Sequence, residues 1–145
     1  MKKQLLLVED DPNILRLLVN LINKELIDCS TATTGTGGLA ALRKNQFDLV
    51  VTDENRPEVK GHQIAEWMRG QELYQRTPII LMTAEQNPSF FGDLMSRGLV
   101  SMIISKPYNI YRMRTMIMSV IAANSMRQFN EKQNKREERL TSDFR

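Results

Sequence analysis

Cysteine and histidine are almost missing from this chain. Cys29 is the lone cysteine of 145 residues, so no internal disulfide framework can form, and the composition suits a reducing compartment. His62 is the lone histidine, which leaves no ready way to assemble a Ser-His-Asp triad or a multi-histidine metal centre. Long apolar runs are missing too. Lys2 and Lys3 precede only Leu5-Leu6-Leu7-Val8 before Glu9-Asp10-Asp11, far short of a signal-peptide core or a membrane span. A cytoplasmic protein without membrane contact is expected. Nor is there a strong charge of either sign: the formal net charge of +3 is too small to indicate nucleic-acid binding. No Lys/Arg face interleaved with aromatics occurs before residue 127, so no direct nucleic-acid contact is expected.

What remains has the length and the 41% hydrophobic content of one globular domain with a single substantial core. Leu5-Leu6-Leu7-Val8, Leu49-Val50-Val51, Ile79-Ile80-Leu81-Met82 and Met102-Ile103-Ile104 are continuous apolar runs, as strands buried on both faces require. A weaker strand is read over Asp28–Ala32. Helical patterns separate them. Asp11-Pro12 reads as an N-cap followed by proline at the first helical position, and Ile14, Leu17, Leu18, Leu21 and Ile22 form the stripe behind it. Further helices are expected near 38–44, 63–69 and 89–96, the last ending at Gly98. Five alternations of strand and helix predict an α/β fold, a parallel sheet with helices on both faces. After Pro107 there is no glycine or proline, and a helix carries Ile110, Met113, Met116, Ile117, Val120 and Ile121 on one side. The domain is expected over residues 1–124, with 125–145 a charged helical extension or linker.

The chemistry lies where the strands end. Strand one delivers Glu9 and Asp10, strand three Asp53, strand four Thr83 and strand five Lys106. In a parallel sheet all carboxyl ends share one edge, so these residues converge. Three carboxylates about 4 Å apart repel by roughly 4 kcal/mol per pair at an effective dielectric of 20, and they demand a cation. Hard oxygen ligands point to Mg²⁺. With Lys106 as a fixed positive charge and Thr83 as a hydroxyl donor, the edge suits an incoming phosphoryl group, with Asp53 the nucleophile.

Val8-Glu9-Asp10-Asp11-Pro12, Asp53-Glu54-Asn55-Arg56-Pro57, Thr83-Ala84 and Lys106-Pro107 together resemble the receiver domain of two-component response regulators, over about residues 3–124. The resemblance implies a flavodoxin-like sheet of order 2-1-3-4-5 and a signalling role rather than an enzyme's. It implies that Asp53 accepts phosphate from a sensor histidine kinase or phosphotransfer protein. Asp10, Asp53 and the Asn55 carbonyl would hold Mg²⁺, with Glu9 acting through water and Asp11 left as a helix cap. Lys106 would pair with the phosphoryl oxygens, before a proline bond that is commonly cis. Thr83 would swing to the phosphoryl group as the switch, and Asn55 and Glu85 would tune its hydrolysis. Output would pass through the helix 4–strand 5–helix 5 face to a downstream protein or a second copy.

Two departures stand out. Ile103 occupies the place of the family's switch aromatic, so output is expected to rely on repacking of Ile103, Phe90, Phe91 and nearby methionines. One residue more than the family norm also separates Gly98 from Lys106. Other motifs read as structural. Gly35-Thr36-Gly37-Gly38 lacks the Lys-Ser/Thr of a phosphate loop and reads as a turn into a helix. His62 reads as a surface or helix-start residue and Cys29 as a packed thiol. An aspartyl-phosphate hydrolase of the haloacid dehalogenase type is the rival from another class. It needs a second aspartate two residues after the nucleophile, where this chain has Asn55. The remaining alternative is that residues 125–145 begin a helix leading from the receiver to an output domain.

Overall fold

Alternation along each strand divides the apolar residues between two faces of one sheet. Leu5, Leu7, Leu49, Val51, Ile80, Met82 and Ile104 enter one core, and Leu6, Val8, Val50, Ile79 and Leu81 enter the other. The computed structural model describes residues 1–22 and 24–144. Its sheet comprises β1 (Lys3–Val8), β2 (Ile27–Ala32), β3 (Leu49–Asp53), β4 (Ile79–Thr83) and β5 (Met102–Ser105), all parallel in the order β2-β1-β3-β4-β5.

Helices α1 (Pro12–Leu21) and α5 (Ile110–Ser142) cover the first face through Leu15, Leu18, Met113, Ile117 and Ile121. Helices α2 (Gly35–Lys44), α3 (Gly61–Arg69) and α4 (Pro88–Ser96) cover the second through Leu42, Ile64, Met68 and Leu94. A single 3₁₀ turn at Glu72–Tyr74 follows α3. This is the α/β architecture expected, with helices on both faces and a long C-terminal helix. Met113, on the apolar side of α5, is fully buried in the core.

Side-chain caps set most of the helix starts. The Asp11 carboxylate accepts from the Asn13 and Ile14 amides, and the Thr34 hydroxyl accepts from Gly37 N–H, which starts α2 at Gly35 rather than at 38. Asn87 and Asn109 cap α4 and α5 in the same way. Gly98, at φ 65°, closes the turn after α4, the left-handed conformation that favours glycine. Helix α5 crosses residue 124 without a break. Among the described residues no helix is long and apolar enough to cross a membrane.

Candidate functional site

Asp53 is the last residue of β3 and only 2% exposed, and the amide of its neighbour Glu54 donates to the Met82 carbonyl. One carboxylate oxygen, Oδ1, accepts from the Asn55 amide at 3.0 Å; the other, Oδ2, accepts from the Lys106 ammonium at 2.6 Å. Lys106 is aimed there by its position just beyond β5, where its own amide donates to the Thr83 carbonyl at 2.8 Å. The peptide bond that follows, Lys106–Pro107, is cis.

Glu9 and Asp10 complete the acidic group at the end of β1. Oxygens of Glu9, Asp10 and Asp53 lie within 4.8 Å of one another. Glu9 is buried, its Oε1 accepting from the Asp11 amide at 3.1 Å, while Asp10 faces solvent. Burial raises the Glu9 carboxyl above its usual range, and the Asp53 charge adds to this against the opposing pull of the Asp11 amide and of Lys106. Asp10 is held low, chiefly by its hydrogen bond with Glu9 and further by the charges of Arg56 and Lys106. Burial alone pulls the Lys106 ammonium down, but its bond to Asp53 and the charges of Asp53, Glu9 and Asp10 outweigh that and raise it. Glu9 Oε2 is buried with no hydrogen-bond partner among the described residues. A buried acceptor that takes no hydrogen bond and meets only the long 3.6 Å ion pair with Lys106, beside two further carboxylates, is the donor set of a hard divalent cation, so the residues fit Mg²⁺.

Thr83 ends β4 fully buried, and its hydroxyl oxygen accepts from the Glu85 amide at 2.9 Å. The edge thus carries one buried carboxylate salt-bridged to lysine, a second acidic pair beside it and a threonine hydroxyl at the next strand end. Residues 5–118 match the response regulator receiver domain. The chain belongs to the response regulator receiver family.

The chain superposes on the chemotaxis response regulator CheY4 of Vibrio cholerae with a TM-score of 0.73, at 25% identity, covering 83% of this chain and 99% of that one. A CheY-like receiver domain protein of Methanospirillum hungatei gives 0.77 at 22% identity, over 88% and 99% of the two chains, a likeness of fold. In sequence, the hybrid signal transduction histidine kinase D of Dictyostelium discoideum is 29% identical over 128 residues, 88% of this chain and 8% of its own length. The two-component response regulator ARR10 of Arabidopsis thaliana is 26% identical over 126 residues, 86% of this chain and 22% of its own length. The receiver chain therefore spans a small part of these relatives.

Glu9, Asp10, Asp53, Thr83 and Lys106 come together at one edge of the receiver. Asn55 and Glu85 flank it, both exposed, and Asp11 serves as the α1 cap. Ile103 is half-buried against the second core and borders a cleft of about 410 Å³ with Ser105, Pro107 and Met116.

Three side chains near the edge escaped the sequence reading. Glu54, 5% exposed, pairs with His62 Nδ1 at 2.6 Å at the start of α3, and the His62 ring meets Phe90 of α4 edge-on at 5.7 Å. Arg56, 6% exposed, donates from Nη1 to the Thr33 carbonyl at 2.8 Å. Tyr108 hides its hydroxyl, which burial and the Glu9, Asp53 and Asp11 charges push up to about 12. Neither Glu54 nor Arg56 carries a sequence signal of burial, since charged residues after a strand are normally solvated.

Proposed function

We propose that Asp53 is the phosphoacceptor of a two-component or phosphorelay pathway and that its modification switches protein–protein contacts. The observation that carries this reading is the buried Asp53 carboxylate held by Lys106 beside the Glu9/Asp10 pair. A carboxylate oxygen of Asp53 forms a bond to the donor's phosphorus as the donor's P–N bond (phosphohistidine) or P–O bond (a small acyl phosphate) breaks. The electron pair leaves with the donor: the histidine nitrogen takes a proton from water, whereas the oxygen of an acyl phosphate departs as a carboxylate. Lys106 stays protonated throughout and balances the arriving phosphoryl oxygens. Asp10, Asp53 and the Asn55 carbonyl would hold Mg²⁺, with Glu9 acting through water; the ion supplies charge neutralisation of the phosphoryl oxygens.

The Thr83 hydroxyl then leaves the Glu85 amide and donates to the phosphoryl group. The consequence is a shift of the α4–β5–α5 face toward a form that binds a downstream protein or a second copy. A sensor histidine kinase or phosphotransfer protein is the donor, in the reducing cytoplasm that the lone Cys29 suits. Asn55 and Glu85 set how water reaches the product. Asn55 lacks the acid proton that a haloacid dehalogenase-type hydrolase needs, which disfavours that chemistry.

The reading that residues 1–124 form the receiver and 125–145 the start of a link to an output domain has its own support. Helix α5 runs on to Ser142, and the relatives extend far beyond the matched region. The test of the central proposal is labelling with Mg²⁺ and a small acyl phosphate. A label stable to acid and labile to base is expected on the wild type and none on Asp53→Asn. Stoichiometric labelling of that variant at another residue would overturn the assignment.

A further inference from the structure

Past Asn124 helix α5 leaves the sheet and keeps two distinct sides. One side is held by its own domain: Arg127 donates to the Arg76 carbonyl and to Asn124 Oδ1, Gln128 accepts from Lys3, and Glu131 pairs with Arg76 at 2.8 Å. These positions continue the line of Met113, Ile117 and Ile121 at the spacing of one helix face. The opposite side carries Met126, Phe129 and Leu140, which are 61%, 57% and 56% exposed. Their spacing places Met126 and Leu140 at heptad position a and Phe129 at d, with Gln133 and Arg136 in the layers between. Ser119 and Ala122, small and exposed, continue the same line back along the domain.

We propose that this stripe pairs with the same stripe of a second copy of the chain, forming a parallel two-stranded coiled coil over residues 126–140. Charge selects both the occupant and its direction. Lys132 falls at position g and Glu137 at the following e, so in a parallel pair each Lys132 meets the Glu137 of the other copy, twice by symmetry. An antiparallel pair sets Lys132 against Arg139, like charge on like. The polar layers Gln133 and Arg136 weaken the seam while favouring one register, and the Arg136 stem lies along it with its guanidinium in water. Because each domain sits on the far side of its own α5, both receivers fit outside the pair at the same end. The pairing makes no use of Asp53 and stands or falls apart from the phosphoryl reading.

The test uses the full chain. Sedimentation at micromolar concentration is expected to give twice the monomer mass of 16.8 kDa, for the wild type and for Asp53→Asn alike. Lys132→Glu is expected to weaken the dimer about tenfold, with two attractions turned into repulsions, and Lys132→Glu with Glu137→Lys to restore it. In a Cys29→Ser background, Met126→Cys and Leu140→Cys are each expected to cross-link to themselves on mild oxidation, since position a faces its own copy in a parallel pair. A monomer at these concentrations, charge reversal without effect, or Met126→Cys cross-linking only to Leu140→Cys would each overturn the proposal.

Discussion

The Lys106 ammonium stands 2.6 Å from Oδ2 of Asp53 and 3.6 Å from Oε2 of Glu9, so one cation bridges carboxylates from two strands. Both acids are almost completely buried, whereas the lysine side chain keeps 24% of its exposure. Breaking a fully buried pair costs about 3–5 kcal/mol; partial solvation lowers the expected loss for Lys106→Ala to about 2 kcal/mol in metal-free protein. Mg²⁺ should then stabilise the variant more than the wild type, because no lysine offsets the carboxylates. Thermal melts with and without Mg²⁺ check this; an equal metal-induced shift in both proteins would contradict it.

Neighbouring aspartates should separate cleanly. Asp10 lies in the acidic cluster, while Asp11 spends its carboxylate on the Asn13 and Ile14 amides. Asp10→Ala is expected to remove most of the Mg²⁺ affinity measured by calorimetry. Asp11→Ala should keep that affinity and lose about 1 kcal/mol of stability as a missing helix cap. Equal loss of affinity in both variants would show the acid pair to be misassigned.

Thr83→Ala removes a buried hydroxyl that now accepts from the Glu85 amide. Labelling of Asp53 should persist, but the phosphorylated variant should no longer change amide exchange across α4, β5 and α5. A full exchange response in the variant would mean that the switch lies elsewhere.

Gly61 holds α3 close to the site. A Cβ there would stand 2.5 Å from Leu81 Cδ1 and 2.8 Å from the Asp53 carbonyl oxygen. Gly61→Ala is expected to cost about 1–3 kcal/mol in denaturant unfolding and to slow labelling by displacing Asp53. Gly92, in the middle of α4, has nothing within 4 Å of its added Cβ. Gly92→Ala should be neutral or stabilising by about 0.4–1 kcal/mol. The pair separates a packing constraint from a mere change of propensity.

Burial, then the charge of Asp28, pushes the Cys29 thiol up to about 11. A thiol held that high carries about a hundredfold less thiolate near pH 8 than an unperturbed cysteine, so alkylation by iodoacetamide should be slower in proportion. Because the folded state favours the neutral thiol, its contribution to stability is present below about pH 9 and lost as the pH rises through about 11. An alkylation profile with its midpoint near pH 9 would contradict the burial.

Much of this protein was legible because the relevant signals are local. Apolar runs such as Leu5–Val8 and Ile79–Met82 mark buried strands, and Asp11-Pro12 marks a helix start. Once the strands are parallel, chain order alone brings Glu9, Asp10, Asp53, Thr83 and Lys106 to one edge, since every carboxyl end lies on the same side. The helix starts at Gly35 and Pro88 precede the positions that apolar periodicity marks, because Thr34 and Asn87 act through side-chain caps ahead of it.

Tertiary structure alone decided the rest. Glu54 and His62 are eight residues apart, and nothing local says that one buries itself to receive the other; the turn from β3 into α3 brings them to 2.6 Å. Arg56 reaches Thr33 only because β1 carries β2 and β3 on its two sides and lets their following loops meet. How far the sheet reaches along α5 is likewise set in three dimensions: it covers Met113 completely and leaves Met126 61% exposed. Burial is a property of what packs against a helix face, and that is set by non-local contacts that residue patterns do not encode.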